Sequence, residues 1–278
     1  MRNERDEGLG NVRGRQMFLK AENKNAFEGD CGAGDRIEGR NPVLEALRSG
    51  RAINKILVAE GGREGSIRQI AAIAKEKGIE VSSVSRAKLD MLSHNGAHQG
   101  VIAFAAAKEY VDVDDILKAA DSKGEPAFIV ILDEIADPQN LGSILRTADA
   151  VGAHGVIIPK KRAAGLTAAV SKISAGAVEY VPVARVTNIA RTIDYLKEKN
   201  LWVAGADAFG GKPFYEADLS GPAALVIGGE GEGIRRLVRD KCDFIVSIPM
   251  RGRISSLNAA VAGAVVMYEI MRQRSRRT

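Results

Sequence analysis

The chain has 278 residues, of which 45% are hydrophobic, 27% are charged and 5% are aromatic. This composition is typical of a soluble globular protein, and the length allows one large domain or two of modest size. Two cysteines, Cys31 and Cys242, are too few for a disulfide scaffold. Because the sequence shows neither a signal peptide nor an apolar run of about 18 residues, we expect a cytoplasmic protein with no contact to a membrane.

The positive charge is concentrated at the carboxyl-terminal end of the chain. The formal net charge is +5, and residues 247–278 contain six arginines and one acid, Glu269. Residues 1–246 are balanced, with 34 basic and 34 acidic residues. A basic end is compatible with a polyanionic partner such as nucleic acid, and equally with a solvated helix end, so charge alone leaves both interpretations open.

Composition and periodicity divide the first half of the chain into three regions. Residues 1–36 hold seven basic and seven acidic residues but only five Leu, Val, Ile or Phe, which predicts a flexible charged tail. Residues 37–107 alternate strand-like and helix-like patterns and are predicted to form a compact α/β domain. Within it, Asn41-Pro42 is expected to open a short helix over residues 43–47, with Asn41 as its cap and Pro42 in its first turn. Residues 108–126 are predicted to form a linker.

Residues 127–278 alternate buried strand patterns with amphipathic helices. The strands are almost continuously apolar, as in AFIVILDE, GVIIP and AALVIGG, which predicts a mostly parallel sheet covered on both faces. Such sheets bind ligands beyond the carboxyl ends of their strands. The loops DEIADPQN, GGEGEG and PMRGRISS are therefore candidate sites.

Several common active-site patterns are missing from the sequence. The run VIGGEGEGIRR matches neither the G-x-G-x-x-G dinucleotide motif nor the G-x-x-x-x-G-K-[ST] phosphate loop, which disfavours dehydrogenases and NTPases of those types. His94 and His98 have the spacing of metal ligands, but two nearby glycines predict a loop there, so we expect no metal site. The G-x-S-x-G nucleophile elbow of many hydrolases is also missing.

Polar side chains recur in the candidate loops beside glycine or proline. Asn140 begins a predicted helix and Arg146 follows six residues later, while Ser256 and Asn258 begin the last helix. Each has a purely structural alternative: Asn140 as a helix cap, Arg146 in a surface salt bridge, and Ser255 or Ser256 as the cap of the last helix. Taken one at a time, these residues do not define a function.

The three loops with their flanking elements carry a family resemblance. The segments LDEIADPQNLGSILRTADAVGAHGVIIP, ALVIGGEGEGI and IPMRGRISSLNAAVAGAVVMYE resemble, in this order, the three motifs of the SpoU/TrmH branch of the SPOUT RNA methyltransferases. The region from GRNPVLEALRSG to HQGVIAFAA resembles the amino-terminal substrate-binding domain of that branch, which has an L30e-like fold. The arrangement is most similar to members that make 2′-O-methylguanosine in the peptidyl-transferase region of 23S ribosomal RNA.

The resemblance implies S-adenosylmethionine as the methyl donor, a homodimer, and an α/β methyltransferase domain with a trefoil knot. It implies catalytic roles for the motif residues Asn140, Arg146, Glu230, Ser256 and Asn258. It also implies that the knotted loops hold the cofactor through Gly228, Gly229, Ile248, Met250 and Leu257.

RNA, most of all ribosomal RNA, is the partner that the resemblance implies. We expect it to contact Arg251 and Arg253, the basic end, and Arg40 and Asn41 of the first domain. With only 5% aromatic residues, phosphate and 2′-hydroxyl contacts should outweigh base stacking.

The proton acceptor and the exact function remain open. The resemblance implies that Arg146 accepts the proton of the ribose 2′-hydroxyl, yet a guanidinium normally stays protonated. Arg146 either accepts the proton, or it clamps a phosphate while water or a phosphate oxygen accepts. Other functions also remain: a tRNA ribose methyltransferase, a non-catalytic RNA-binding assembly factor and, least favoured by the motifs, a dinucleotide-dependent oxidoreductase.

Overall fold

The computed structural model describes most of the chain as two compact units, and the division between them falls between Ala107 and Lys108. The described residues are 35–62, 65–93, 96–209, 211–229, 231 and 233–276. Residues 1–34, which make up nearly all of the predicted tail, lie outside them.

In its described residues, the first unit is a four-stranded sheet with three helices. Its strands are β1 (Asp35–Glu38), β2 (Ile53–Ala59), β3 (Glu80–Val84) and β4 (Val101–Ala105), and its helices are α1 (Arg40–Arg48), α2 (Ser66–Glu76) and α3 (Arg86–Leu92). The strand order is β1-β4-β2-β3, with β4 antiparallel to both neighbours and β2 parallel to β3. Helices α1 and α2 cover one face with buried aliphatic side chains, and α3 packs against a smaller cluster that includes Leu57 and Phe104.

The first unit begins earlier than the composition predicts. Strand β1 starts at Asp35, inside the predicted tail, and pairs with β4. Asp35 forms an ion pair with Arg51 at 2.8 Å, and Arg36 Nη1 donates to the Leu92 carbonyl at 2.8 Å. Two charged residues thus belong to the folded unit because the chain supplies partners that local composition cannot reveal.

The predicted start of helix α1 is also wrong. The helix begins at Arg40, and the capping position is Gly39, which has φ +102° and offers no side chain. Asn41 therefore lies inside the first turn with its side chain exposed, so it does not cap the helix. The left-handed conformation at Gly39 is the reason that glycine suits this entry into the helix.

The second unit is a seven-stranded sheet in which every neighbouring pair of described strands is parallel. Its strands are β5 (Phe128–Asp133), β6 (Gly155–Pro159), β7 (Val183–Val186), β8 (Trp202–Ala206), β9 (Lys212–Pro213), β10 (Ala223–Gly228) and β11 (Phe244–Ser247). The helices are α4 (Val113–Lys123), α5 (Pro138–Ala150), α6 (Ala168–Ile173), α7 (Ile189–Glu198), α8 (Arg236–Arg239) and α9 (Ala259–Ser275). The order β7-β6-β5-β10-β8-β11-β9 confirms the predicted parallel α/β architecture.

Side chains alternate between two cores along the central strands. In β5, Phe128, Val130 and Leu132 join the core under α5, α6 and α9, while Ile129 and Ile131 join the core under α4, α7 and α8. This alternation follows from the two-residue period of a strand, and it explains why a doubly covered strand is apolar throughout.

The segment predicted as a linker is part of the second unit. Residues 108–126 contain α4, whose Ile116 is fully buried. A Cβ added to Gly155 would lie 2.6 Å from Ile116, so the absence of a side chain at the start of β6 makes room for this helix. The polar residues of the segment lie on its solvent face, which made its composition resemble a linker.

Candidate active site at the carboxyl edge of the parallel sheet

A cavity of about 490 Å³ opens at the carboxyl ends of β8, β10 and β11. This volume lies in the range typical of small-molecule sites. The loop after β10 and the segment between β11 and α9 form most of its wall. The lining includes seven predicted site residues: Gly228, Gly229, Ile248, Met250, Ser256, Leu257 and Asn258. The structure thus brings the second and third sequence motifs together around one cavity.

The glycine-rich loop after β10 folds back on itself beside this cavity. A Cβ at Gly228 would lie 2.1 Å from the carbonyl carbon of Gly233, and Gly229 forms an isolated bridge with Gly233. A Cβ at Gly229 would lie 2.6 Å from the carbonyl oxygen of Glu134. Side chains are excluded at these positions, so the cavity wall here is bare backbone. Glu230, predicted to be catalytic, lies outside the described residues.

Asn140 and Asn258 link the first motif to the third. Asn258 Nδ2 donates to Asn140 Oδ1 at 2.9 Å, and Asn140 is 5% exposed. Asn258 Oδ1 also accepts from the backbone N–H groups of Ala260 and Val261 and so caps α9. The cap of α5 is Asp137 rather than Asn140, and the cap of α9 is Asn258 rather than a serine, which corrects both structural alternatives considered above.

Two carboxylates hold the loops beside the cavity, and the sequence did not single them out. Asp133, fully buried at the end of β5, accepts from the Arg235 backbone N–H at 2.9 Å and from Nη2 at 2.6 Å. This hydrogen bonding raises the pKa of the Arg235 guanidinium. Asp207, after β8, pairs with Arg239, whose Nη2 donates to the Phe209 carbonyl at 2.7 Å.

These anchoring residues left only a weak signal in the sequence. Asp133 ends an otherwise apolar strand, a position where a buried carboxylate needs a partner. Its partner Arg235 is 102 positions away, so no local pattern connects the two.

Arg146 lies apart from this cluster. Its side chain is exposed on α5, it does not line the cavity, and it forms no hydrogen bond or ion pair with any residue in the described part of the chain. At 100° per residue it lies about 120° around the helix axis from Asn140. The structural alternative of a surface salt bridge is therefore wrong.

The residues predicted to contact RNA are exposed in both units. Arg251 and Arg253 lie in the exposed segment before α9, next to Ile254, whose exposure is 73%. In the first unit, Arg40 Nε donates to the Gln99 carbonyl at 3.1 Å.

The basic carboxyl-terminal end is only partly available to a partner. Arg274 donates to the carbonyls of Pro126, Ala127 and Gly221 at 2.7–2.9 Å, and burial lowers its pKa to about 10, so it remains charged at neutral pH. Arg272 pairs with Glu269 at 2.6 Å. Two of the arginines that suggested a nucleic-acid surface are thus engaged within the fold.

His98, one of the two histidines with metal-ligand spacing, has another role. His98 is 1% exposed; its Nδ1 accepts from the Gly100 N–H at 3.0 Å, and its Nε2 lies 2.9 Å from Asp90. His94 lies outside the described residues. Among the residues that the structure describes, no three His, Cys, Asp or Glu side chains are placed to hold a metal ion. No helix in the described ranges has the length and apolar character needed to cross a bilayer.

A parallel sheet with a cavity at the carboxyl ends of its strands is typical of α/β proteins that bind a small ligand at this edge. Comparison with known families specifies this class. Residues 127–268 match the SpoU rRNA Methylase family, and residues 36–111 match the domain described as RNA 2′-O ribose methyltransferase substrate binding. The chain belongs to the SpoU rRNA methylase family.

Similar proteins cover both units. A putative TrmH family tRNA/rRNA methyltransferase of Bacillus subtilis, YacO, is 52% identical over 241 residues, which is 87% of this chain and 96% of that protein. The crystal structure of the SpoU methyltransferase AviRb from Streptomyces viridochromogenes, in complex with the cofactor AdoMet, has a TM-score of 0.73 and 28% identity, covering 87% of this chain and 90% of AviRb. An AdoMet-bound rRNA methyltransferase from Sinorhizobium meliloti has a TM-score of 0.70 and 25% identity, covering 91% and 92%.

Proposed function

We propose that this protein transfers a methyl group from S-adenosylmethionine to a ribose 2′-hydroxyl in RNA, and that the target is a guanosine in the peptidyl-transferase region of 23S ribosomal RNA. The observation that carries the proposal is the convergence of the second and third motifs at one cavity, with the first motif joined to them by the bond between Asn140 and Asn258. Membership of the SpoU family and the AdoMet-bound relatives support the cofactor.

The cavity lining fits the chemistry of S-adenosylmethionine. The ligand has a flat base and a polar, charged tail. The lining offers aliphatic side chains for the base and unshielded backbone groups for the polar parts. Ile248, Met250 and Leu257 provide the apolar surface, and Gly228 and Gly229 provide backbone that no side chain shields. When bound, the cofactor supplies a methyl group on a sulfonium, which is already a strong electrophile.

The chain's contribution is to orient the acceptor hydroxyl and to remove its proton. Orientation supplies up to about 7–11 kcal/mol in well-aligned reactions, which is much of the acceleration that this transfer needs. Asn258 holds its carboxamide at the cavity through two backbone contacts, while Ser256 offers a hydroxyl beside it. Arg146, exposed and without a partner among the described residues, is available to a phosphate of the RNA.

Arg146 therefore has two possible parts in the reaction, and substitution separates them. In one it accepts the hydroxyl proton; in the other it clamps a phosphate through its bidentate fork. Arg146→Lys keeps the charge and loses the fork. Near-full activity of that variant contradicts the clamp.

We also propose a homodimer that works in the cytoplasm and carries a knotted methyltransferase domain, as the family resemblance implies. One face of α9 supports a second copy of the chain: Val261 and Tyr268, seven residues apart, are 51% and 48% exposed. Sedimentation equilibrium of the wild type and of Tyr268→Glu measures this directly. A monomeric wild type at micromolar concentration contradicts the dimer.

The central test is transfer of labelled methyl to ribosomal RNA and tRNA isolated from cells that lack this protein. We expect incorporation into 23S RNA at one 2′-O position of a guanosine, located by nuclease mapping. Incorporation into tRNA alone would move the target to tRNA, and incorporation into neither would overturn the enzymatic function. The variant Asn140→Ala, which removes a residue of the first motif without changing charge, should reduce transfer strongly.

A further inference from the structure

A second cavity, of about 650 Å³, lies in the second unit at the carboxyl ends of β6 and β7. Its walls are the loop after β6, the beginning of α7, and α8. The lining includes five cationic residues and, among the described residues, one acid: Lys160, Lys161, Arg162, Arg235, Arg236 and Glu134. We call this the basic groove.

The cations of the basic groove fall into two sets. Arg162 and Arg235 both pair with Glu134, at 3.0 and 3.1 Å, and Arg235 is also bound by Asp133. Their charges are largely compensated within the fold, and they shape the groove rather than attract a ligand.

The other three cations are not compensated in this way. Lys160 and Lys161 have exposed side chains that form no ion pair or hydrogen bond with any residue in the described ranges. Arg236 lies 3.8 Å from Asp240, and both side chains are more than 60% exposed, so this pair is weak. The groove therefore has a net positive field that its own residues do not cancel.

The lining indicates what kind of polyanion would bind. None of its described residues is aromatic, so the groove offers no platform for stacking bases. Flexible lysines provide point charges, which suit phosphate oxygens of any sequence and give no base specificity. The phosphodiester backbone is therefore a better match than the bases.

The basic groove is continuous with the active site along one edge of the sheet. The Gly229 backbone lies against the carbonyl oxygen of Glu134, whose side chain lines the groove. From β10 at the first cavity to β7 at the groove are three strand spacings, which amount to about 14 Å. An RNA strand with its reactive ribose at the first cavity can thus extend over this edge into the groove.

We propose that the basic groove binds the phosphodiester backbone of the substrate RNA beside the methylated nucleotide, with Lys160, Lys161 and Arg236 as phosphate contacts. This inference rests on the proposed function, since it takes the RNA to be the substrate of the first cavity. It adds a docking surface on the catalytic unit itself, separate from the substrate-binding domain.

The test compares Lys160→Ala/Lys161→Ala with a control that removes the same charge elsewhere. Lys118 and Lys123 are exposed on α4, and α4 leads into the amino end of β5, so Lys118→Ala/Lys123→Ala is a matched control. The probe is a transcript of the peptidyl-transferase region or a tRNA transcript, whichever the wild type binds more tightly. Binding is measured at several salt concentrations.

Loss of two phosphate contacts should reduce the slope of log Kd against log salt by about 1.4, at roughly 0.7 per contact for single-stranded RNA. The control should keep the wild-type slope, and Lys160→Arg/Lys161→Arg should restore it. Calorimetry should give the wild-type affinity for S-adenosylmethionine in every variant.

An unchanged slope in Lys160→Ala/Lys161→Ala, with RNA still bound, would contradict RNA binding by the basic groove and leave the proposed function intact. A wild type that transfers no methyl but shows the slope difference would overturn the proposed function and leave the groove as an RNA surface.

Discussion

Asn258 donates a hydrogen bond to Asn140 at 2.9 Å, joining the start of α9 to the first turn of α5 across 118 positions of sequence. Asn258 uses its amide nitrogen for this bond and its oxygen to cap α9. The Asn258 carboxamide therefore sets where α9 begins and also holds the start of α9 next to α5.

Asn258→Ala should lower the free energy of unfolding by about 2–3 kcal/mol. Loss of the cap contributes about 1 kcal/mol, and a buried Asn140 that loses this partner adds a comparable cost. Asn258→Ser keeps a capping oxygen but is too short to reach Asn140, so it should lose only about half as much. Urea unfolding of the wild type, Asn258→Ala and Asn258→Ser measures the contribution of the cap and that of the bond to Asn140. Equal losses in the two variants would mean that the cap contributes nothing. A wild-type stability of Asn258→Ser would mean that the bond to Asn140 contributes nothing.

Gly228→Ala should disrupt the glycine-rich loop. A Cβ there would lie 2.1 Å from the carbonyl carbon of Gly233, so the loop must move, at a cost of about 1–3 kcal/mol. We expect the affinity for S-adenosylmethionine to fall by about tenfold or more, since a loss of 1.4 kcal/mol is already tenfold. Isothermal titration calorimetry checks this.

Gly221→Ala is the control for that experiment. A Cβ at Gly221 would have no neighbour within 4 Å, and the residue lies outside the cavity lining. It should bind like the wild type. Wild-type affinity in Gly228→Ala would show that the close backbone approach is not required for the site.

Arg274→Ala should destabilise the second unit by about 2–4 kcal/mol, because three carbonyls lose a charged donor and the cation no longer lies over the Phe128 ring. Arg276→Ala removes the same charge from an exposed position and should change stability by less than about 0.5 kcal/mol. Thermal or urea unfolding distinguishes the two. Similar losses of stability in both variants would show that Arg274 contributes no more than an ordinary surface charge.

His154 should make the protein less stable in acid. It is 3% exposed, its Nδ1 accepts from the Phe128 N–H at 3.0 Å, and burial lowers its pKa below the ordinary value near 6.5. Between those two pKa values the unfolded chain binds the proton and the folded protein does not. Its contribution to stability is therefore complete above about pH 6.5 and is lost as the pH falls toward the folded-state pKa.

Urea unfolding at pH 8, 7, 6 and 5 tests this for the wild type and His154→Gln. Glutamine offers an acceptor but does not titrate, so the variant should lose less stability than the wild type between pH 7 and pH 5. Carboxylates other than Glu125, which lies 3.1 Å from His154 Nε2, contribute equally to both profiles. Parallel profiles would exclude His154 as a source of the acid sensitivity.

The sequence by itself determined the architecture of the second unit and most of the cavity wall. Continuous apolar strands alternate with amphipathic helices only where a parallel sheet is covered on both faces, and such sheets place their loops at a common edge. The cavity lining includes Gly228, Ile248, Met250 and Leu257, which the family resemblance of the loop sequences implies. These features are local in the chain, so a one-dimensional pattern can carry them.

Only the tertiary structure decided which polar groups find partners. Asp133 with Arg235, Asn140 with Asn258, and Arg274 with the carbonyls before β5 are pairings across about 100 positions or more. The same cause explains the errors at Asp35 and in residues 108–126, which local composition predicted to lie outside the folded units. Burying a charged or amide group is tolerated only when the folded chain supplies a hydrogen-bond partner. For these residues the partner is distant in the sequence, so no local pattern identifies it.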